Sequence, residues 1–169
     1  IELVDGEIPE FEELDTPFLH KRFEKQVEEK GDEIALVATD ETFTYDELNQ
    51  KANKIANALI KKGVKPKSNV LVMLHRNSDL IASILGILKA GCAYIPIDLE
   101  YPKDRIQFIL SDCKPKVIVL CGLEEKEIPI AYAREHHIPL LILESQDTLV
   151  TCKWEVSGVE KKEASNVAS

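Results

Sequence analysis

Three short runs constrain this chain most: residues 69–74 (NVLVML), 116–120 (KVIVL) and 139–143 (PLLIL) are almost wholly apolar. A strand with one wet face alternates apolar and polar residues, whereas a strand covered on both faces does not. The runs therefore predict strands sandwiched between two layers. Around them lie stretches of helical period, roughly 10 to 16 residues each. Strands alternating with helices predict right-handed βαβ crossovers, so the fold class is α/β: a mostly parallel sheet with flanking helices.

Residues 1–16 carry acidic clusters and little period, and read as a lead-in or linker. Thr16-Pro17 opens a helix, with Pro at its first position and Gly31 at its end. Residues 33–38 and 42–45 read as a strand and its return. Thr44-Tyr45-Asp46-Glu47 is a capping box, in which the Thr hydroxyl and the Glu carboxylate each satisfy an orphan backbone N–H. The helix it starts carries Leu48, Ala52, Ile55 and Leu59 on one face and ends at Gly63. Its lysines, Lys51, Lys54, Lys61 and Lys62, read as a solvated face; a docking face is the sharper alternative. Asn77-Ser78-Asp79 caps a helix so rich in Leu and Ile that it should be deeply buried. Gly91 ends it, with a positive φ expected. The next strand, 92–97 (CAYIPI), contains Pro96, which confines it to an edge, an end or a bulge. Pro102 starts another helix with Ile106, Ile109 and Leu110 inward. Residues 124–137 form a helix candidate that Pro129 weakens. From Gln146 the period fades, and 146–169 reads as a weakly structured tail in which Trp154 packs locally.

Net charge is −9, from 30 acidic and 21 basic residues. That balance argues against nucleic-acid partners, because neutralising phosphates needs a basic face. The longest apolar stretch, 80–88, falls far short of the about 20 residues of a membrane span and is interrupted by Ser83. The N-terminus lacks the basic-then-apolar order of a signal peptide. Cys92, Cys113, Cys121 and Cys152 have no CxxC spacing and read as free thiols in a reducing cytoplasm. Of His20, His75, His136 and His137 only the last two are close, and adjacent helical residues make a poor chelate.

Two longer motifs carry more information. Phe43-Thr44-Tyr45-Asp46-Glu47-Leu48 resembles the opening motif of nonribosomal peptide synthetase adenylation domains, L-T-Y-x-E-L. Residues 88–98 (LKAGCAYIPID) resemble the second, L-K-A-G-x-A-Y-x-P-I-D, and Tyr101-Pro102-Lys103-Asp104-Arg105-Ile106 matches the Y/H-P-x-x-R-I that follows it. The resemblance spans about residues 17–143 and implies the N-terminal part of an AMP-binding domain over 17–145, within the adenylate-forming superfamily. AYIPIDLEYPKDRI looks more like the amino-acid-activating branch than like acyl-CoA synthetases. Where the family often has Gly, this chain has Cys92, read as a small buried residue and not as a catalytic thiol. Tyr94 and Asp98 could pair as acid and base, but Asp98 is expected to organise the loop before Pro102.

The resemblance implies an enzyme that uses ATP and Mg2+ to convert an amino or other carboxylic acid to acyl-AMP, then loads it onto phosphopantetheine. Its partners would be the remainder of the adenylation domain and the peptidyl carrier and condensation domains. Relatives cradle phosphate with a loop resembling Y-T-S-G-T-T-G-x-P-K-G, and this sequence, with seven glycines, contains nothing like it. The expectation is a segment that is inactive alone and holds no catalytic, cofactor-binding or metal residue. The alternative is a free-standing interaction module derived from a degenerate adenylation domain. The first predicts exposed apolar surface and open sheet edges; the second predicts polar closure.

Overall fold

The computed structural model describes residues 18–38, 41–122, 126–146 and 149–155. In chain order the elements are α1 (Leu19–Lys30), β1 (Ile34–Val37), β2 (Thr42–Thr44), α2 (Tyr45–Lys61), β3 (Asn69–Met73), α3 (Ser78–Lys89), β4 (Ala93–Pro96), α4 (Lys103–Cys113), β5 (Val117–Cys121), α5 (Glu127–Glu135), β6 (Leu140–Gln146) and β7 (Leu149–Glu155). Strands β1 and β2 pair antiparallel as a ribbon of their own. The other five form one sheet in the order β4-β3-β5-β6-β7. Its first four strands are parallel and β7 runs antiparallel to β6.

Successive side chains of a strand point to opposite faces, and the apolar runs serve both. Val70, Val72, Val117, Val119, Leu141 and Leu143 share a core with α2 and α3. Leu71, Met73, Ile118, Leu120, Leu140 and Ile142 share the other core with α4 and α5. The result is the expected α/β layering, helices on both faces of a mostly parallel sheet.

The ends of the elements have local causes. Thr44 accepts from the Glu47 N–H at 3.2 Å while the Glu47 carboxylate accepts from the Thr44 N–H at 2.9 Å, completing the capping box. Asn77 caps α3 by accepting from the Asp79 and Leu80 amides. Pro96 lies on β4, which among the described residues pairs with β3 alone and is an edge strand. That fits a residue unable to donate to a ladder.

Several expectations are corrected. α1 begins at Leu19 with Phe18 at its cap, while Thr16 and Pro17 fall outside the described residues, as do the lead-in and 156–169. Gly31 has φ −51°, so the left-handed region does not explain it; a Cβ there would lie 2.5 Å from an Asp46 carboxylate oxygen. The tail does not lose structure at Gln146: residues 149–155 form β7, with Val150 and Cys152 buried. Helix α3 is buried on one face only, for Ile81 is 37% exposed and Leu80, Ile84 and Leu88 are half-buried.

Gly91 has φ +74°, as its place between α3 and β4 requires. A β-branched side chain is strained there by about 1–3 kcal/mol. Cys92→Ala removes only a buried sulfur and leaves the Cys92 N–H to Ile87 carbonyl bond intact. Gly91→Val should therefore unfold at clearly lower urea than Cys92→Ala. Equal midpoints would show that the turn accommodates the side chain.

Candidate functional site

Asp98 accepts from the Glu100 N–H at 3.0 Å and from the Arg76 guanidinium at 3.4 Å. It thus shapes the loop leading to Pro102, as expected. Among the described residues no hydrogen bond joins it to Tyr94, which sits on the edge strand β4. Burial pushes the thiols of Cys92 and Cys113 up, and that of Cys152 to about 11. Each stays protonated at neutral pH and is a poor nucleophile. His136 and His137 are exposed at the end of α5, where His136 stacks on Tyr132 at 4.0 Å. Trp154 packs against the α2–α3 core with Lys62 over its ring.

The lysine face of α2 needs correcting. Lys61 and Lys62 are exposed, but Lys51 is 1% exposed. Its ammonium donates to Asp79 Oδ1 at 3.0 Å and to Ser78 Oγ at 3.1 Å, and lies 4.8 Å from the centre of the Phe43 ring. Ser78 donates to the Glu41 carboxylate at 3.3 Å, and Ser145, near the end of β6, donates to Asp79 Oδ1 at 2.6 Å. A buried ammonium is tolerated because its donors are met by a carboxylate, a hydroxyl and an aromatic face. Sequence reasoning missed this cluster. The available signal was spacing: Lys51 falls three residues after Leu48 and four before Ile55, on the buried stripe.

Among the described residues, no three His, Cys, Asp or Glu side chains are grouped so as to hold a metal ion. The amides at the start of α3, which could face a phosphate, are already capped by Asn77. An open groove of about 1060 Å³ lies between α4 and α5, lined by Phe108, Tyr132, Ile128 and His136 among others.

A family model described as AMP-binding enzyme matches residues 23–167. The chain belongs to the AMP-binding enzyme family. It is 38% identical over 149 residues to bacitracin synthase 1 of Bacillus licheniformis, covering 88% of this chain and 3% of that protein. Tyrocidine synthase 1 of Brevibacillus parabrevis is 46% identical over 101 residues, covering 60% of this chain and 9% of the relative. The chain thus spans less than a tenth of either relative's length. Among solved structures, the fatty acid AMP ligase from Legionella pneumophila superposes with a TM-score of 0.59 at 28% identity, covering 64% of this chain and 20% of that one. Apo MatB from Rhodopseudomonas palustris gives 0.65 at 21% identity, covering 75% and 25%, a likeness of fold alone.

Within this member of the AMP-binding enzyme family the resembling motifs are architectural. Residues 43–48 carry the chain from β2 into α2, with Phe43 and Leu48 buried. Residues 88–98 end α3, turn at Gly91 and run through β4 to the Asp98 loop. Among the described residues no helix is long and apolar enough to cross a membrane.

Proposed function

We propose that the chain is the N-terminal part of an adenylation domain that activates an amino acid, or another carboxylic acid, in nonribosomal peptide synthesis. In that reaction a carboxylate oxygen attacks the α-phosphate of ATP and displaces pyrophosphate, giving acyl-AMP. The phosphopantetheine thiol of a carrier domain then attacks the acyl carbon, forming a thioester and releasing AMP. One observation carries the reading: 38% identity to bacitracin synthase 1 extends over 88% of the chain. The acyl-ligase structures match at 28% or below, which favours the peptide-synthetase branch over an acyl-CoA synthetase.

Charge building on the α-phosphate and carboxylate must be met by donors and a metal ion such as Mg2+. We assign no such role to any residue of this chain. Its part is to supply the sheet and helices against which the remainder of the adenylation domain packs, with carrier and condensation domains as further partners, in the cytoplasm. We place the domain's start near residue 17, after the lead-in. The family match to residue 167 and the strand β7 support an extension beyond residue 145.

A chimera tests this. Residues 18–155 replace the matching segment of an adenylation domain of bacitracin synthase 1, and amino-acid-dependent ATP–pyrophosphate exchange is measured. We expect exchange in the chimera and none from the 169-residue chain alone. A chimera that melts cooperatively but shows no exchange, or exchange by the isolated chain, overturns the proposal.

A further inference from the structure

The β1–β2 ribbon shares no backbone ladder with the five-stranded sheet, and a lone two-stranded ribbon is marginal in water. Something must hold it against α2 and the sheet layer. Apolar contact supplies part of the grip, because Phe43 is 1% exposed and Ala35 and Leu36 pack half-buried on the same core. Backbone bonds from Tyr45 to Glu33 and from Asp46 to Gly31 add to it, and a further set of polar contacts converges on one cation. The Lys51 ammonium faces the Phe43 ring of β2 on one side and Ser78 and Asp79 of α3 on another. Glu41, immediately before β2, reaches the cluster through the Ser78 hydroxyl. Ser145 ties the same Asp79 to the end of β6. Segments from the ribbon, from α3 and from the sheet therefore share one positive charge.

We propose that Lys51 is a latch: its buried ammonium fastens the β1–β2 ribbon to the sheet layer, and without it the ribbon opens as a separate unit. The cation does this by charge. With it gone, the Glu41 carboxylate on the ribbon side loses the positive charge that it reaches through the Ser78 hydroxyl, whether or not Asp79 is ionised. The Phe43 ring also loses the cation over its face. The five-stranded sheet keeps its ladders and both of its apolar layers.

Native-state hydrogen exchange on the full 169-residue chain tests the latch. The variant carries Lys51→Met and Asp79→Asn together, so that no unpaired buried charge is left to unfold the whole molecule. Ribbon amides such as Ala38, bonded to the Glu41 carbonyl, should exchange at least about tenfold faster than in the parent. Sheet amides such as Ile118, bonded to the Pro139 carbonyl, should stay within about twofold. Equal acceleration at both places, or none at the ribbon, overturns the proposal. Should the double variant not fold, Phe43→Leu keeps an apolar side chain, though a smaller one, and removes the aromatic face. It should accelerate ribbon exchange selectively though more weakly, and uniform or absent acceleration again overturns the latch.

Discussion

Replacing Lys51 alone with Met lowers the unfolding free energy by about 3–5 kcal/mol, read from urea midpoints at neutral pH. Methionine nearly matches the length of the lysine stem, so packing survives. What is lost is the charge that compensates Asp79, which is 4% exposed. Asp79 keeps its hydrogen bond from Ser145, but one neutral donor does not offset a buried carboxylate. Adding Asp79→Asn should recover most of the loss, because replacing both members of a buried pair with neutral groups is often close to neutral. Failure of that rescue would assign the effect to lost packing around the lysine stem. An unchanged midpoint in the single variant would show that the cluster is solvated in solution.

The second large effect is expected at Gly86. A Cβ there would lie 2.7 Å from the Ala52 carbonyl oxygen and 2.9 Å from the Ile55 Cβ. Both belong to the facing helix α2, where neither backbone nor Cβ can swing aside. Gly86→Leu must push α2 away from α3, at the upper end of overpacking costs, about 3 kcal/mol. Helix propensity acts in the opposite direction by about 1 kcal/mol, so an unchanged or raised urea midpoint would mean that the helices stand further apart. Gly91, by contrast, is needed for its dihedral and not for space: the nearest atom a Cβ would meet is Pro66 Cβ at 3.4 Å.

Local physics was legible from sequence and long-range physics was not. The apolar runs at 69–74, 116–120 and 139–143 marked strands covered on both faces because burial erases alternation. Thr44 and Glu47 announced their cap, Pro96 its edge, and Gly91 its turn, since each requirement lies within a few residues. Strand β7 was also readable. Val150 and Cys152 alternate inward against Thr151 and Lys153, but its charges suggested a tail where an edge strand often carries them. Gly86 looked like an ordinary helical glycine because the atoms that exclude a side chain are about thirty residues earlier in the chain. Lys51 was misread for the same reason, as its counter-charge Asp79 comes from another helix. The resembling motifs led to the family. They could not disclose a reaction centre, because their residues form turns and caps.

The strand order β4-β3-β5-β6-β7 also bears on how the chain can be made. After β4 has joined one edge of β3, β5 adds to the other edge of β3, β6 to β5 and β7 to β6. None has to be inserted between two strands already paired. A nascent polypeptide emerging from the ribosome can therefore extend this sheet in the order of translation, and the reversal at β7 adds its last strand without reopening a ladder.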